Sequence, residues 1–287
     1  MMRIRVSTTI SVAFVLCGTL FAREDRYQFD PAWDYPILGV GLTAAGTGFL
    51  MERRIASRPF DPSGLRREDI PAYDRWALGF YSKPLSGISD ALILADGLAP
   101  LALTGFDLHR RQESIREAWT DLVLYGEVVA YASAVSLYSK TSRLHPRPLA
   151  FTSNAPLSER ESGDARSSFF SEHTTGAFAA AVFTAYTFQV HHPDSPWIPW
   201  MWSGAMGTAA GVGALRVFSG KHFPSDVLAG AIAGSAIGYL VPRLHLGRQT
   251  KPETGRASKA GLFHDFKMGM GLNSGDLSPM LLFHLNV

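Results

Sequence analysis

Six stretches of apolar residues divide the chain, at 35–51, 88–106, 122–139, 174–190, 195–218 and 227–241. Each is long enough for a helix, rich in Ala, Gly and Leu, and free of the strict alternation of a half-buried strand. Polar loops carrying Pro and Gly separate them, most visibly at 53–75 and 148–168. The pattern predicts an all-α fold, a bundle of about six core helices. If consecutive helices run antiparallel, the end of the third, the start of the fourth, the end of the fifth and the start of the sixth meet at one pole.

The two ends of the chain differ from this pattern. Residues 1–22, MMRIRVSTTISVAFVLCGTLFA, place Arg3 and Arg5 before a short apolar run and Ala22 before a charged stretch, the layout of a secretory signal peptide. An uncleaved first membrane helix is the competing reading, against which the apolar run is short. The lone cysteine, Cys17, lies inside this segment, so the remainder has neither disulfides nor thiol chemistry. Leu16 is not the small residue that lipidation of Cys17 would require. Beyond Leu246 comes a polar linker, then two short apolar runs about an Asn-Ser-Gly-Asp turn, which predict a β-hairpin in the C-terminal tail. The expected organisation is a signal peptide at 1–22, helices and loops at 23–116, the core at 117–245, and linker and tail at 246–287.

Only 18% of the residues are charged, fewer than in an average soluble protein, and the net charge is +2 with no Lys/Arg run. That excludes a nucleic-acid footprint. For a bilayer the pattern is mixed. Only 195–215 reaches spanning length without a charge, while Asp90, Asp96 and Glu127 interrupt other segments. Trp197, Trp200 and Trp202 cluster as at a membrane interface, and Gly207 and Gly211 offer a surface for close helix packing. The arginines at 53, 54, 58, 66 and 67 argue for a cytoplasmic loop, whereas the signal peptide argues for export.

The candidate chemistry falls at segment ends. Lys140 and Arg147 close the third segment, Ser171 and His173 open the fourth, Arg216 closes the fifth, and His222 and Asp226 flank the start of the sixth. Two arginines and a lysine suit a tetrahedral oxyanion. Two histidines supply a nucleophile and a general acid, and a carboxylate can orient one of them. The set describes phosphoryl transfer with a histidine nucleophile, without metal or cofactor. His191, His192 and Asp194 are read as a solvated loop, and Glu127 as a paired or interface carboxylate.

These residues carry a resemblance. KTSRLHPRP, FSEH and LRVFSGKHFPSD resemble, in order, the three motifs of the type 2 phosphatidic acid phosphatase superfamily, which includes class A acid phosphatases and vanadium haloperoxidases. The similarity spans roughly 117–241. It implies that Lys140, Arg147 and Arg216 grip phosphate oxygens and that Ser171 hydrogen-bonds one. It further implies that His222 attacks phosphorus, with Asp226 fixing its tautomer, and that His173 protonates the leaving alkoxide. Phe170, Glu172 and Leu215 stand where the family has proline, glycine and serine, and Glu172 sets a carboxylate beside an anion site. The implied function is a metal-independent phosphatase of phosphomonoesters or diphosphates, acting on phosphorylated lipids at a membrane. The chain would be exported, with its site in a bacterial periplasm. A soluble periplasmic acid phosphatase, vanadate-dependent peroxidase chemistry and an inactive relative stand as alternatives.

Overall fold

A computed structural model describes residues 27–110, 114–142 and 144–246, and these are all-helical apart from one isolated bridge between Tyr27 and Leu246. The signal peptide and the C-terminal hairpin lie outside the described residues. Six helices of 20 to 28 residues form the bundle: α1 (Pro31–Ala56), α2 (Lys83–Arg110), α3 (Ile115–Ser142), α4 (Glu172–His191), α5 (Ile198–Phe218) and α6 (Pro224–Leu244). Each contains one of the six apolar segments almost whole, and most extend beyond it by recruiting polar end residues.

Local chemistry sets the starts. Asp30 caps α1, its carboxylate accepting the Ala32 N–H at 3.0 Å, and Pro31 occupies the first turn, where an amide donor is not needed. Ser171 caps α4 by accepting the Thr174 N–H. At α6, Pro224 takes the first position and the Asp226 carboxylate reaches back to the Phe223 N–H at 2.8 Å.

α4 is the central helix, packed against α2, α3, α5 and α6, while α1 lies against α3. Its contact with α6 is a glycine seam. A methyl added at Gly234 would sit 2.2 Å from the Thr175 carbonyl oxygen, and one at Gly238 would sit 2.4 Å from that of Ala179, so only glycine lets the two backbones approach this closely. Gly207 and Gly211 play no such part, since a methyl at either meets nothing within 4 Å. Small size permits close approach only where another helix faces it, and among the described residues none faces that side of α5.

The outward surface is apolar. Leu94, Leu98, Leu228, Ile232 and Leu240 are exposed, Ile232 at 64%. Three helices, α2, α3 and α6, are long and apolar enough to cross a membrane. The charge-free segment at 195–215 is not among them, because its Trp, Pro, Ser and Gly lower its hydropathy even without charges. The residues that sequence reading counted against a span are mostly turned inward: Asp96 and Glu127 are buried. The chain is thus organised as a membrane protein, with polar groups in the bundle and apolar ones outside. Trp197 and Trp200 stand exposed at the start of α5, as interfacial anchors would.

Candidate active site

The predicted pole exists. The ends of α3 and α5, the starts of α4 and α6, and the connections before α4 and α6 surround a pocket of about 400 Å³ lined by Lys140, Arg147, His173, Arg216 and His222. Helices α1 and α2 also reach it, through Glu52, Ser86 and Asp90, so the site draws on residues outside the expected core at 117–245.

His222 is almost wholly buried, and its Nδ1 lies 2.8 Å from the Ser168 carbonyl oxygen. A carbonyl can only accept, so Nδ1 carries the proton and Nε2 keeps its lone pair. Burial first, then the charges of Arg147, Arg216 and Lys140, hold this imidazole well below the ordinary histidine pKa. It is neutral at neutral pH. Asp226 is one step removed. Its carboxylate is 3.7 Å from Nδ1, beyond hydrogen-bond reach, and accepts instead from the Ser168 hydroxyl and the Phe223 N–H. The aspartate therefore fixes the loop that supplies the tautomer-setting carbonyl, rather than contacting the imidazole itself.

His173 is partly exposed to the pocket, with Nε2 2.9 Å from Asp90 Oδ1. Burial and then Arg216 push it down to about 4, against the opposing pull of Asp90 and Glu172. Arg216 donates from NH1 to the Ser86 and Ser89 hydroxyls and to Asp90, while its buried Nε has no hydrogen-bond partner among the described residues. Arg147 forks onto Asp164, Nε to the carbonyl oxygen at 2.9 Å and NH2 to the carboxylate at 2.6 Å. Burial works against ionisation of Asp164, but Arg147, then Lys221, Lys140 and Arg216, outweigh it and hold the carboxyl below its usual range.

Glu172 is answered by geometry. It pairs with Lys140 at 2.7 Å, and Lys140 also donates to Glu52 at 2.9 Å. Burial of Glu172 is overcome by Lys140, with smaller help from His173 and Arg147, and its pKa is lowered. The pocket lining thus sets four cations (Lys140, Arg147, Arg216, Lys221) against four carboxylates (Glu52, Asp90, Asp164, Glu172).

Of the seven expected residues, five line the pocket. Asp226 supports it from behind. Ser171 is not brought in: fully buried, it is engaged at the α4 N-terminus with the Thr174 amide and hydroxyl. Sequence reading missed Glu52, Asp90, Asp164 and Ser168, which lie outside the three motifs, and Lys221, which lies inside the third between Arg216 and His222. It also misread His191 and His192 as a solvated loop. His191 is buried between Asp107, 3.3 Å away, and Asp121, 3.5 Å away, and His192 lies 2.9 Å from Asp107. The α2 and α3 carboxylates that cover these histidines lie far away in the chain.

Among curated proteins none matches this chain. Among solved structures, a transmembrane PAP2-type phosphatidylglycerolphosphate phosphatase from Bacillus subtilis is similar at 22% identity, covering 69% of this chain and 93% of that one, with a TM-score of 0.45. The family model of the PAP2 superfamily matches residues 121–249, the stretch that holds all three motifs. Over residues 121–249 the chain is therefore similar to the PAP2 superfamily.

Proposed function

We propose that the protein is a metal-independent phosphatase acting on phosphomonoester or diphosphate groups of membrane lipids. The observation that carries this reading is His222, neutral, with Nδ1 donated to the Ser168 carbonyl and lining a pocket that also holds Lys140, Arg147, Arg216 and His173. In the reaction, Nε2 of His222 attacks phosphorus and the P–O bond to the leaving alkoxide breaks. His173 gives its proton to that oxygen. A bound phosphate dianion beside His173 raises its pKa above the ligand-free value, so that it carries the proton when needed. Water then attacks the phosphohistidine, His173 takes the water's proton, and phosphate leaves with His222 restored. Lys140, Arg147 and Arg216 stabilise the equatorial oxygens. Ser171 contributes through the α4 N-terminus that it caps, since its hydroxyl is fully buried behind the pocket lining.

The lipid substrate is supported by the apolar outer faces of α2 and α6, which would lie in the same bilayer as the substrate's chains. The test is phosphate release in EDTA on phosphatidic acid, an isoprenyl diphosphate and p-nitrophenyl phosphate, with His222→Ala alongside. Activity that survives EDTA and is lost in His222→Ala supports the reading, and absence of release from all three rejects it.

A second reading, an inactive relative, is favoured by one observation: Lys140 is already held by Glu52 and Glu172. Glu172→Gly separates the two, because gain of activity would blame that carboxylate alone. For location, we propose export with the pocket on the periplasmic side. The signal-peptide layout of residues 1–22 supports this reading, whereas Arg53 and Arg54, which follow Glu52 and begin the arginine-rich loop at the same pole as the pocket, favour the cytoplasmic side. Labelling of Ser57→Cys in a Cys17→Ser background by a membrane-impermeant maleimide on intact cells reports that side directly.

A further inference from the structure

The opposite pole holds a second cluster that the phosphatase chemistry does not use. Asp34 in the first turn of α1, Glu127 in the middle of α3 and His245 just after α6 bring one ligand-type atom each to within 4.8 Å of one another. Asp34 and Glu127 are buried, at 4% and 1% exposure. They line a cavity of about 640 Å³ whose other walls include Ile37, Tyr131, Val135, Ile237 and Leu240. Among the described residues lining it there is no lysine or arginine.

The hydrogen bonds at this cluster do not balance. His245 Nδ1 lies 2.7 Å from the Val241 carbonyl oxygen, and Nε2 lies 3.1 Å from Asp34 Oδ1. Both neighbours can only accept when Asp34 is ionised, while a neutral imidazole has a single N–H to give. Glu127 Oε1, fully buried, has no hydrogen-bond partner among the described residues. A protonated His245 would satisfy its own two contacts, and a proton on Glu127 would remove the excess negative charge, but Glu127 Oε1 would still lack a partner among the described residues. A buried polar atom without a partner is costly.

We propose that Asp34, Glu127 and His245 form a binding site for a divalent first-row transition cation, of which Zn2+ is the working probe. Two carboxylates and a neutral imidazole balance its charge. The surrounding groups are already arranged for the task. His245 Nδ1–H donates to a backbone carbonyl, which leaves Nε2 as the ligand atom, the arrangement common for metal-bound histidines. Asp34 Oδ2 accepts the Asp30 N–H at 2.8 Å, so the carboxylate is oriented from behind. The His245 segment is anchored in turn, since the Gln28 N–H donates to the His245 carbonyl at 2.7 Å. Ligand atoms around Zn2+ lie about 3.4 Å apart at metal–ligand lengths near 2.1 Å, so the side-chain ends need to close by roughly 1 Å. A nitrogen in the set favours a transition cation over Ca2+ or Mg2+, which prefer all-oxygen shells. Three protein ligands leave further positions open toward the cavity. The ligands come from three elements, so a bound cation clamps α1, α3 and the end of α6 together.

The test uses the untagged full chain in detergent, stripped with EDTA, incubated with Zn2+ and passed through a desalting column. The expected result is about one Zn2+ retained per chain in the wild type and at least a tenfold weaker affinity in Glu127→Gln, which keeps the side chain's shape. Zn2+ should also raise the wild-type Tm and leave that of Glu127→Gln unchanged. His245→Gln, which leaves α3 untouched, should behave the same way, so a folding failure in one variant does not remove the test. Phosphate release in EDTA reports that each variant is folded. Retention of less than about a tenth of a Zn2+ per wild-type chain, or equal affinity in folded Glu127→Gln, overturns the proposal.

Discussion

The two poles of the bundle solve the problem of buried charge in opposite ways. At the candidate active site every cation already meets a carboxylate: Lys140 meets Glu52 and Glu172, Arg147 meets Asp164, Arg216 meets Asp90, and Lys221 meets Glu159. At the far pole Asp34 and Glu127 face one imidazole, and an oxygen is left bare. The first pole is balanced before any ligand arrives, so an incoming anion would have to compete with resident carboxylates for its cations. The second is short of positive charge and is completed by a cation. Fixed pairing keeps long side chains ordered in a polar pocket, at the cost of affinity for an anion.

Four experiments test that contrast. The largest effect is expected from His222→Ala, which should lower kcat by on the order of 10⁴-fold or more while leaving Zn2+ retention at the far pole intact. Loss of both would mean that the poles are not independent. Next comes the seam that joins the poles. Gly234→Ala should cost roughly 1–3 kcal/mol or more in unfolding free energy, because the new methyl has no room beside Thr175. Gly207→Ala, on the open face of α5, should be neutral or stabilising in the same denaturation measurement.

Smaller again is the effect of pH. His222 and His173 are held neutral in the fold, whereas in the unfolded chain each protonates near its ordinary value of about 6.5. Above that value they contribute nothing to the pH dependence. As pH falls below it, the unfolded chain binds protons that the folded one refuses, and stability is lost. The Tm should drop by about 5 °C or more between pH 7 and pH 5, and the drop should shrink in His222→Gln. The smallest change is expected from Glu172→Gly. Releasing one of the two carboxylates on Lys140 should lower KM for an anionic substrate by roughly three- to tenfold, with kcat little changed. An unaltered KM would mean that Glu52 alone keeps Lys140 occupied.

The linear part of the molecule could be read directly from the order of its residues. Six helices were legible because apolar runs of helical length stand between Pro- and Gly-bearing loops, and capping residues such as Asp30 and Ser171 are local signals. Lys140, Arg147, His173, Arg216 and His222 were legible as one site because each lies at or near a helix end, and antiparallel helices return their alternate ends to one place. Pairing across the chain was decided only by the tertiary structure. Glu52 is 88 residues from Lys140, and Asp90 is 126 from Arg216. No spacing rule links such residues, since their contact depends on the rotation of α1 and α2 about their own axes. The same holds for Asp34, Glu127 and His245, which share no motif. It holds too for His191, whose carboxylate partners come from α2 and α3. Which glycines matter was likewise a tertiary question: Gly207 and Gly234 look alike in sequence, and only the position of a facing backbone makes one indispensable. A helix end can be read along the chain because it is made by neighbours in sequence, while the neutralisation of a buried charge is made by whichever helix packs against it.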